Sequence, residues 1–186
     1  MNDRWSHTGA VLAGGAGRRM GRRKDSMPLA DGRTMLAAVA AALAETCRDV
    51  VVVGDAETHM TRIEDLRPGQ GPLGGIEALL ASGRDMHYLV CPCDVPLVTA
   101  TLLRRLTVAS GAVATVFRVD GERDFRPLPA RISAGALDRV RGHLDDGRRA
   151  VHELLRALDP AVIALPRDDA RVLANVNTPS DYEAIR

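Results

Sequence analysis

Apolar runs alternate with Ala- and Leu-rich stretches along this chain, and each change of period marks an element. Gly9 to Leu12 reads as a short buried strand that runs straight into a glycine- and arginine-rich loop, Ala13-Gly14-Gly15-Ala16-Gly17-Arg18-Arg19-Met20-Gly21. A helix is predicted from about Thr34 to Cys47, and Asp49 to Val53 is a β-branched run suited to a parallel strand covered on both faces. Gly71-Pro72-Leu73-Gly74-Gly75 reads as a turn opening a helix through Ile76 to Ala81, whose first amide N–H groups would point outward. A further buried strand, Tyr88 to Cys91, delivers Pro92-Cys93-Asp94 at its C-terminal end, where open α/β sheets place their ligands. Beyond it the pattern predicts a helix over Thr99 to Ala109, a strand over Ala112 to Val119, and a strand over Phe125 to Ile132 interrupted by two prolines. Ser133 to Leu158 is helical with a break near Asp145-Asp146-Gly147; Val162 to Leu165 and Arg171 to Ala174 read as short strands, and Asn175-Val176-Asn177-Thr178-Pro179 leads into a last helix. The alternation indicates the α/β class.

Composition narrows the function. The 186 residues suit one domain with one sizeable core, and 25 Lys+Arg against 24 Asp+Glu leave a net charge of +1. That balance argues against a protein that coats nucleic acid or an anionic membrane. Aromatic residues are only 3% of the chain, so base-stacking platforms are scarcely available. Cys47, Cys91 and Cys93 form no CxxC pair, and two of them lie inside an apolar run, which is neither a disulfide framework nor a zinc site. His7, His59, His87, His143 and His152 show no HxxxH or HxH spacing. The residues from Met1 to Thr8 are polar, and no run of some 18 apolar residues exists to span a bilayer, so a reducing cytoplasm is the expected compartment.

The glycine-rich loop is the strongest local signal. Glycines let the backbone turn sharply and bring its N–H groups against an anion, with phosphate the obvious guest. Two standard phosphate loops fail to fit. A P-loop needs Lys directly after its last Gly, whereas Arg22 follows Gly21. A dinucleotide fingerprint needs GxGxxG, and the run from Gly15 to Gly21 is one residue too long. Asp94 is the leading metal candidate: a carboxylate at the exit of a buried strand suits Mg²⁺, which takes one or two carboxylates together with substrate phosphates and water. As a helix cap it would lie too early, since the cap is expected at Val98 or Thr99.

Leu12-Ala13-Gly14-Gly15, then Arg19-Met20-Gly21 and Lys24, resemble the LAGGxSxRMGxDK signature of the GT-A-type nucleotidyltransferases. Gly71-Pro72-Leu73-Gly74-Gly75, Cys91-Pro92-Cys93-Asp94-Val95-Pro96-Leu97, Asp120-Gly121-Glu122-Arg123-Asp124 and Asn175-Val176-Asn177-Thr178-Pro179 follow in an order similar to that of the molybdenum cofactor guanylyltransferase (MobA) family. The resemblance covers nearly the whole chain. It implies a three-layer α/β/α sandwich on a mostly parallel, Rossmann-like sheet, forming a single domain over residues 1–186 with a nucleotide half at about 9–110 and an acceptor half at about 111–186. It sets Leu12, Ala13, Gly14 and Gly15 against the nucleotide, Arg19 and Lys24 on the triphosphate, Asp94 on Mg²⁺, and Asn175 and Asn177 on the acceptor. Asp65 aligns with an acid that contacts the base, and a carboxylate can accept hydrogen bonds from N1–H and the N2 amine of guanine; the alternative is a solvated loop acid. The two asparagines also suit ordinary turn chemistry, and the run from Asp120 to Asp124 suits either the same cleft or a solvated hairpin.

Two positions depart from the signature: its serine is Gly17 here, and the acid before the lysine is Arg23, with Asp25 following. The implied activity is Mg²⁺-dependent transfer of GMP from GTP to a molybdopterin-type cofactor with release of pyrophosphate. A molybdoenzyme or its chaperone is then the protein partner, and neither nucleic acid nor membrane is one. The alternatives are a cytidylyltransferase for molybdopterin or another phosphorylated small molecule, and a paralogue that binds nucleotide or cofactor without chemistry. Finally, 24 of the 25 basic residues are arginine, and the only lysine, Lys24, falls three residues past the Arg19-Met20-Gly21 motif. A compact ammonium is not replaceable by a planar guanidinium at such a position.

Overall fold

The computed structural model describes residues 7–14, 23–108 and 111–185. Seven strands form one sheet: β1 (Thr8–Leu12), β2 (Asp49–Val53), β3 (Arg62–Ile63), β4 (His87–Pro92), β5 (Ala114–Val119), β6 (Arg126–Ser133) and β7 (Ala161–Leu165). Their order is β3-β2-β1-β4-β6-β5-β7, and only β6 runs antiparallel to its neighbours. Among the described residues six α-helices accompany them, five between strands and one after β7: α1 (Met35–Ala44), α2 (Gly71–Ala81), α3 (Ala100–Thr107), α4 (Leu137–Asp145), α5 (Val151–Ala157) and α6 (Pro179–Glu183).

The period-two alternation of the strands sorts the core into two layers. Val11, Val52, Leu89, Cys91 and Phe117 face α1 and α3 and meet Leu36, Val39, Leu43, Leu103 and Leu106. Their neighbours Ala10, Leu12, Val51, Val90, Val116 and Ile132 face the other way, onto Leu73, Ile76 and Leu79 of α2, Val140 and Leu144 of α4, and Leu154 and Leu155 of α5. The result is a three-layer α/β/α sandwich. Each fully buried Leu or Val contributes about 1.5–3 kcal/mol, so both layers are needed to hold a sheet whose central strands have no wet face.

Helix ends follow from local chemistry. The Thr34 hydroxyl accepts from Ala37 N–H at 3.1 Å and opens α1; the Thr99 hydroxyl does the same for α3, accepting from Leu102 N–H at 3.3 Å. The cap before α3 is thus Thr99, and Asp94 is left to other work. Two expectations change, and one strand is new. Gly71 to Gly75 is the first turn and a half of α2 rather than a turn before it, with Pro72 tolerated because no intrahelical N–H is needed there. Arg171 to Ala174 is not a strand: Arg167–Leu173 is 3₁₀-helical, and it buries Leu173 against the α1/α3 layer. The two-residue β3 carries no sequence signal. Within β6, Pro127 and Pro129 fall where the pairing with β5 shifts register, between Phe117↔Arg126 and Thr115↔Arg131, so no ladder hydrogen bond is asked of them.

Candidate functional site

The strand order reverses at β1, which has β2 on one side and β4 on the other. β1 and β4 are adjacent and parallel and so end side by side, and open α/β sheets take their ligands in the crevice outside such carboxyl ends. The ladder continues past the strands: Ala13 N–H donates to Val53 O at 2.9 Å and Cys93 N–H to Leu12 O at 3.0 Å. Leu12 and Ala13 are buried, and Gly14 is exposed at the rim. Gly54 crosses beneath this turn at φ +101°, and a Cβ there would come within 2.4 Å of Ala13 O, so only glycine lets the two loops pass. Gly15 and Arg19 lie outside the described residues.

Lys24 and Asp94 meet at the crevice. Lys24 Nζ lies 3.5 Å from Asp94 Oδ2 and donates to Asn177 Oδ1 at 2.5 Å. Asn175 Nδ2 donates to Asp94 Oδ1 at 3.0 Å, and Val176 N–H donates to the Asp94 carbonyl at 2.8 Å. Four sequence candidates from both halves of the chain thus form one cluster. Its anchor is apolar: Val176 is buried with Met27 and Met35, and the Tyr182 hydroxyl donates to Pro28 O. The alternation Asn175-Val176-Asn177 sends the valine inward and leaves both asparagines exposed. The capping box of α6 holds the next turn, since Asp181 accepts from the N–H groups of Asn177 and Thr178, and these bonds keep its carboxyl below the usual range.

The two departures from the signature fare differently. Gly17 lies outside the described residues. Arg23 is clamped: its guanidinium lies 2.9 Å from the buried Asp25 carboxylate and 3.5 Å from that of Asp55, and it also donates to Asp55 O. Ser26 N–H donates to Asp25 as well, at 3.1 Å. Arg23 thereby neutralises the acid beside Lys24, and Asp25 is oriented inward rather than toward the crevice.

Asp65 stands apart from this cluster, on the turn between β3 and α2. Its Oδ1 lies 3.6 Å from where a Cβ on Gly75 would sit, and that point is also 3.1 Å from Val53 and 3.5 Å from Leu12, the last residues of β2 and β1. The carboxylate accepts no hydrogen bond from the described residues, and burial raises its pKa. It is an acceptor held near the strand ends with its capacity unused. The hairpin from Asp120 to Asp124 follows β5 at the same C-terminal end of the parallel strands, but its acids are engaged elsewhere: Glu122 with Arg126, and Asp124 with Arg156 at 3.0 Å. Burial, with Asp94 nearby, pushes Cys93 up to about 12 and also holds Cys91 well above the ordinary thiol range, so the thiols of the CPCD segment pack rather than react.

Could the cluster hold Mg²⁺? The donor set is a single carboxylate, and no group of three His, Cys, Asp or Glu suited to a metal exists among the described residues. That excludes an all-protein cage and fits a hard cation shared between Asp94, substrate phosphates and water. What sequence reading missed is the support behind Asp65: Glu77, buried in α2, and Arg67, 3.1 Å away. The signal available was an acid inside the otherwise apolar Leu73 to Ala81 stretch.

Residues 9–174 match the MobA-like NTP transferase domain. The chain is 32% identical over 197 residues to a probable molybdenum cofactor guanylyltransferase of Mycobacterium avium, with 100% of this chain and 98% of that protein covered. It is 34% identical over 193 residues to a probable molybdenum cofactor guanylyltransferase of Opitutus terrae, covering 96% and 94%. Among solved structures, molybdopterin-guanine dinucleotide biosynthesis protein A of Archaeoglobus fulgidus superimposes with a TM-score of 0.78 at 25% identity, covering 96% of each chain. A 2-C-methyl-D-erythritol 4-phosphate cytidylyltransferase of Thermus thermophilus, at 18% identity and a TM-score of 0.70 over 97% of each chain, shares the fold.

Proposed function

The chain belongs to the MobA-like NTP transferase family, a family of nucleotidyltransferases, and from that premise we propose that it transfers GMP from GTP to a molybdopterin-type cofactor. A terminal phosphate oxygen of the acceptor forms a bond to the α-phosphorus of GTP, the bond from that phosphorus to the bridging oxygen breaks, and pyrophosphate leaves. Such a reaction asks the protein chiefly to align two anions and neutralise their charge.

The single observation that carries this reading is the meeting of Lys24, Asp94, Asn175 and Asn177 at the crevice outside β1 and β4. Lys24 supplies a compact positive charge for the triphosphate, and Arg19 a second. Leu12, Ala13, Gly14 and Gly15 present backbone to the nucleotide, while Asp65 accepts from the N1–H and N2 amine of guanine. Asp94 would hold Mg²⁺, which neutralises the triphosphate and orients it for in-line attack. Asn175 and Asn177 offer amide donors and acceptors to the cofactor, from the acceptor half (about 111–186) of a single domain whose nucleotide half is about 9–110.

GTP and the cofactor are then the small-molecule partners, and a molybdoenzyme or its chaperone receives the product. We assign the reaction to the cytoplasm. Buried thiols of all three cysteines are in keeping with a reducing compartment, and no helix among the described residues is long and apolar enough to cross a membrane.

The test is to incubate the protein with molybdopterin, Mg²⁺ and either GTP or CTP while following pyrophosphate. Release with GTP well above that with CTP is expected. Equal or greater turnover with CTP overturns the guanylyl assignment, and binding of GTP without any pyrophosphate release overturns the transfer itself.

A further inference from the structure

We propose that Arg67 is a positioning residue that sets base selectivity by fixing the turn carrying Asp65, and that it does so through a buried carboxylate, Glu77, and the turn between α4 and α5. This inference rests on the reading of Asp65 as the acceptor for the guanine edge.

Glu77 lies on α2 and is 2% exposed. A carboxylate taken out of water needs cationic partners, and two arginines supply them: Arg67 Nε at 3.1 Å and Arg141 Nε, from α4, at 3.7 Å. Arg67 uses the other side of its guanidinium on Asp145, at the end of α4, with Nη1 2.5 Å from Oδ1. Its planar fork thus ties one buried and one exposed carboxylate from two helices, a task for which a lysine ammonium has the wrong shape. Three residues on, Gln70 accepts from Arg149 Nε at 2.7 Å, and Arg149 belongs to the same α4–α5 connection. The turn between Asp65 and α2 is therefore fastened twice to the second half of the chain.

Contact with α2 is equally close. A Cβ on Gly74 would stand 2.8 Å from Gln70 Cβ and 3.4 Å from Arg67 O, so the turn rests directly on the helix backbone. On the next residue, Gly75, a Cβ would crowd Val53 at 3.1 Å and touch Leu12 at 3.5 Å and Asp65 at 3.6 Å. Two adjacent glycines seat the turn and leave room for its acid. Asp65 itself has no side-chain partner among the described residues to fix it, so its placement depends on the turn that Arg67 and Gln70 fasten. Hydrogen-bond readout of a base edge weakens as the acceptor leaves the roughly 2.7–3.2 Å range and near-linear geometry of an N–H···O bond.

The experiment compares the parent protein, Arg67→Met and Asp145→Asn with GTP and with CTP, at saturating acceptor and Mg²⁺. Arg67→Met is expected to raise KM for GTP roughly tenfold while kcat stays within about twofold, and to lower the GTP-to-CTP preference by a similar factor. A double-mutant cycle with Asp65→Ala separates positioning from general destabilisation: once Asp65 is gone, Arg67→Met should add no further KM penalty. Should Arg67→Met fail to fold, Asp145→Asn removes one prong at an exposed partner and is expected to give a smaller change of the same sign. An unchanged KM for GTP in a folded Arg67→Met protein overturns the inference, as does an equal penalty with and without Asp65, or, in the event of misfolding, an Asp145→Asn protein with the parent's KM. A parent that turns over GTP no better than CTP overturns the guanylyl reading first, and this inference with it.

Discussion

Asn175 donates its side-chain amide to the Asp94 carboxylate at 3.0 Å, joining residues 81 positions apart in the chain. The bond fixes one oxygen of Asp94 and leaves the other toward Lys24. Replacing Asn175 with Ala frees the carboxylate to rotate. The expected outcome is a fall in kcat of roughly tenfold or more and a rise in the Mg²⁺ concentration needed for half-maximal rate, with folding little changed because the Val176 N–H bond to the Asp94 carbonyl remains. A magnesium titration of pyrophosphate release measures both.

Lys24 occupies a gap between Asn177 Oδ1 and Asp94 Oδ2 that fits one nitrogen. A guanidinium keeps the charge but cannot put a single donor in that position without displacing one of the two. Lys24→Arg is expected to lower kcat/KM at least about tenfold. Undiminished turnover would leave Arg19 as the principal cation on the triphosphate.

Gly54 tests the backbone frame of the same crevice. Alanine there meets Ala13 O at 2.4 Å and must also adopt a positive φ. A stability loss of about 2–4 kcal/mol is expected by urea unfolding. A loss below about 1 kcal/mol would mean that the two loops do not pass as closely as described.

His87 links stability to pH at the opposite end of the sheet. Burial, then the Arg131 charge, hold its pKa below the ordinary 6.5, with Asp85 opposing. The unfolded chain therefore takes up a proton at a higher pH than the folded one does. Stability from this residue is present above 6.5 and declines as the pH falls from there toward the lower folded value. Urea midpoints from pH 8 to pH 5 should fall more steeply for the parent than for His87→Gln. Parallel curves would contradict the assignment.

Much of this architecture was legible because it is local. β1, β2 and β4 are unbroken apolar runs, Thr34 and Thr99 stand where caps belong, and a glycine loop at the end of the first strand marks the ligand edge. Asp94 and Lys24 could be singled out for similar reasons, one by its strand and the other by its rarity. What was not legible depends on pairs distant in sequence. Nothing around Asn177 says that it accepts from a lysine 153 positions earlier. Arg171 to Ala174 reads as a short strand, yet Arg167–Leu173 coils into a 3₁₀-helix that puts Leu173, Ala170 and Val172 against a helix layer, a packing that depends on residues far off in the chain. The Arg67–Glu77 pair is hidden for another reason: an arginine in a polar turn looks solvated until the acid it covers is seen to be buried.

The most direct measurement is pyrophosphate release from GTP by the Asp94→Ala protein, with molybdopterin and Mg²⁺ present. Lys24 keeps Asn177 as a partner and the backbone bond from Val176 is untouched, so the variant should fold with nearly the parent's unfolding midpoint. Release that depends on acceptor and metal in the parent and falls by about a hundredfold or more in the variant is the result expected of a site centred on this carboxylate. Near-parental release by a folded Asp94→Ala protein would contradict it.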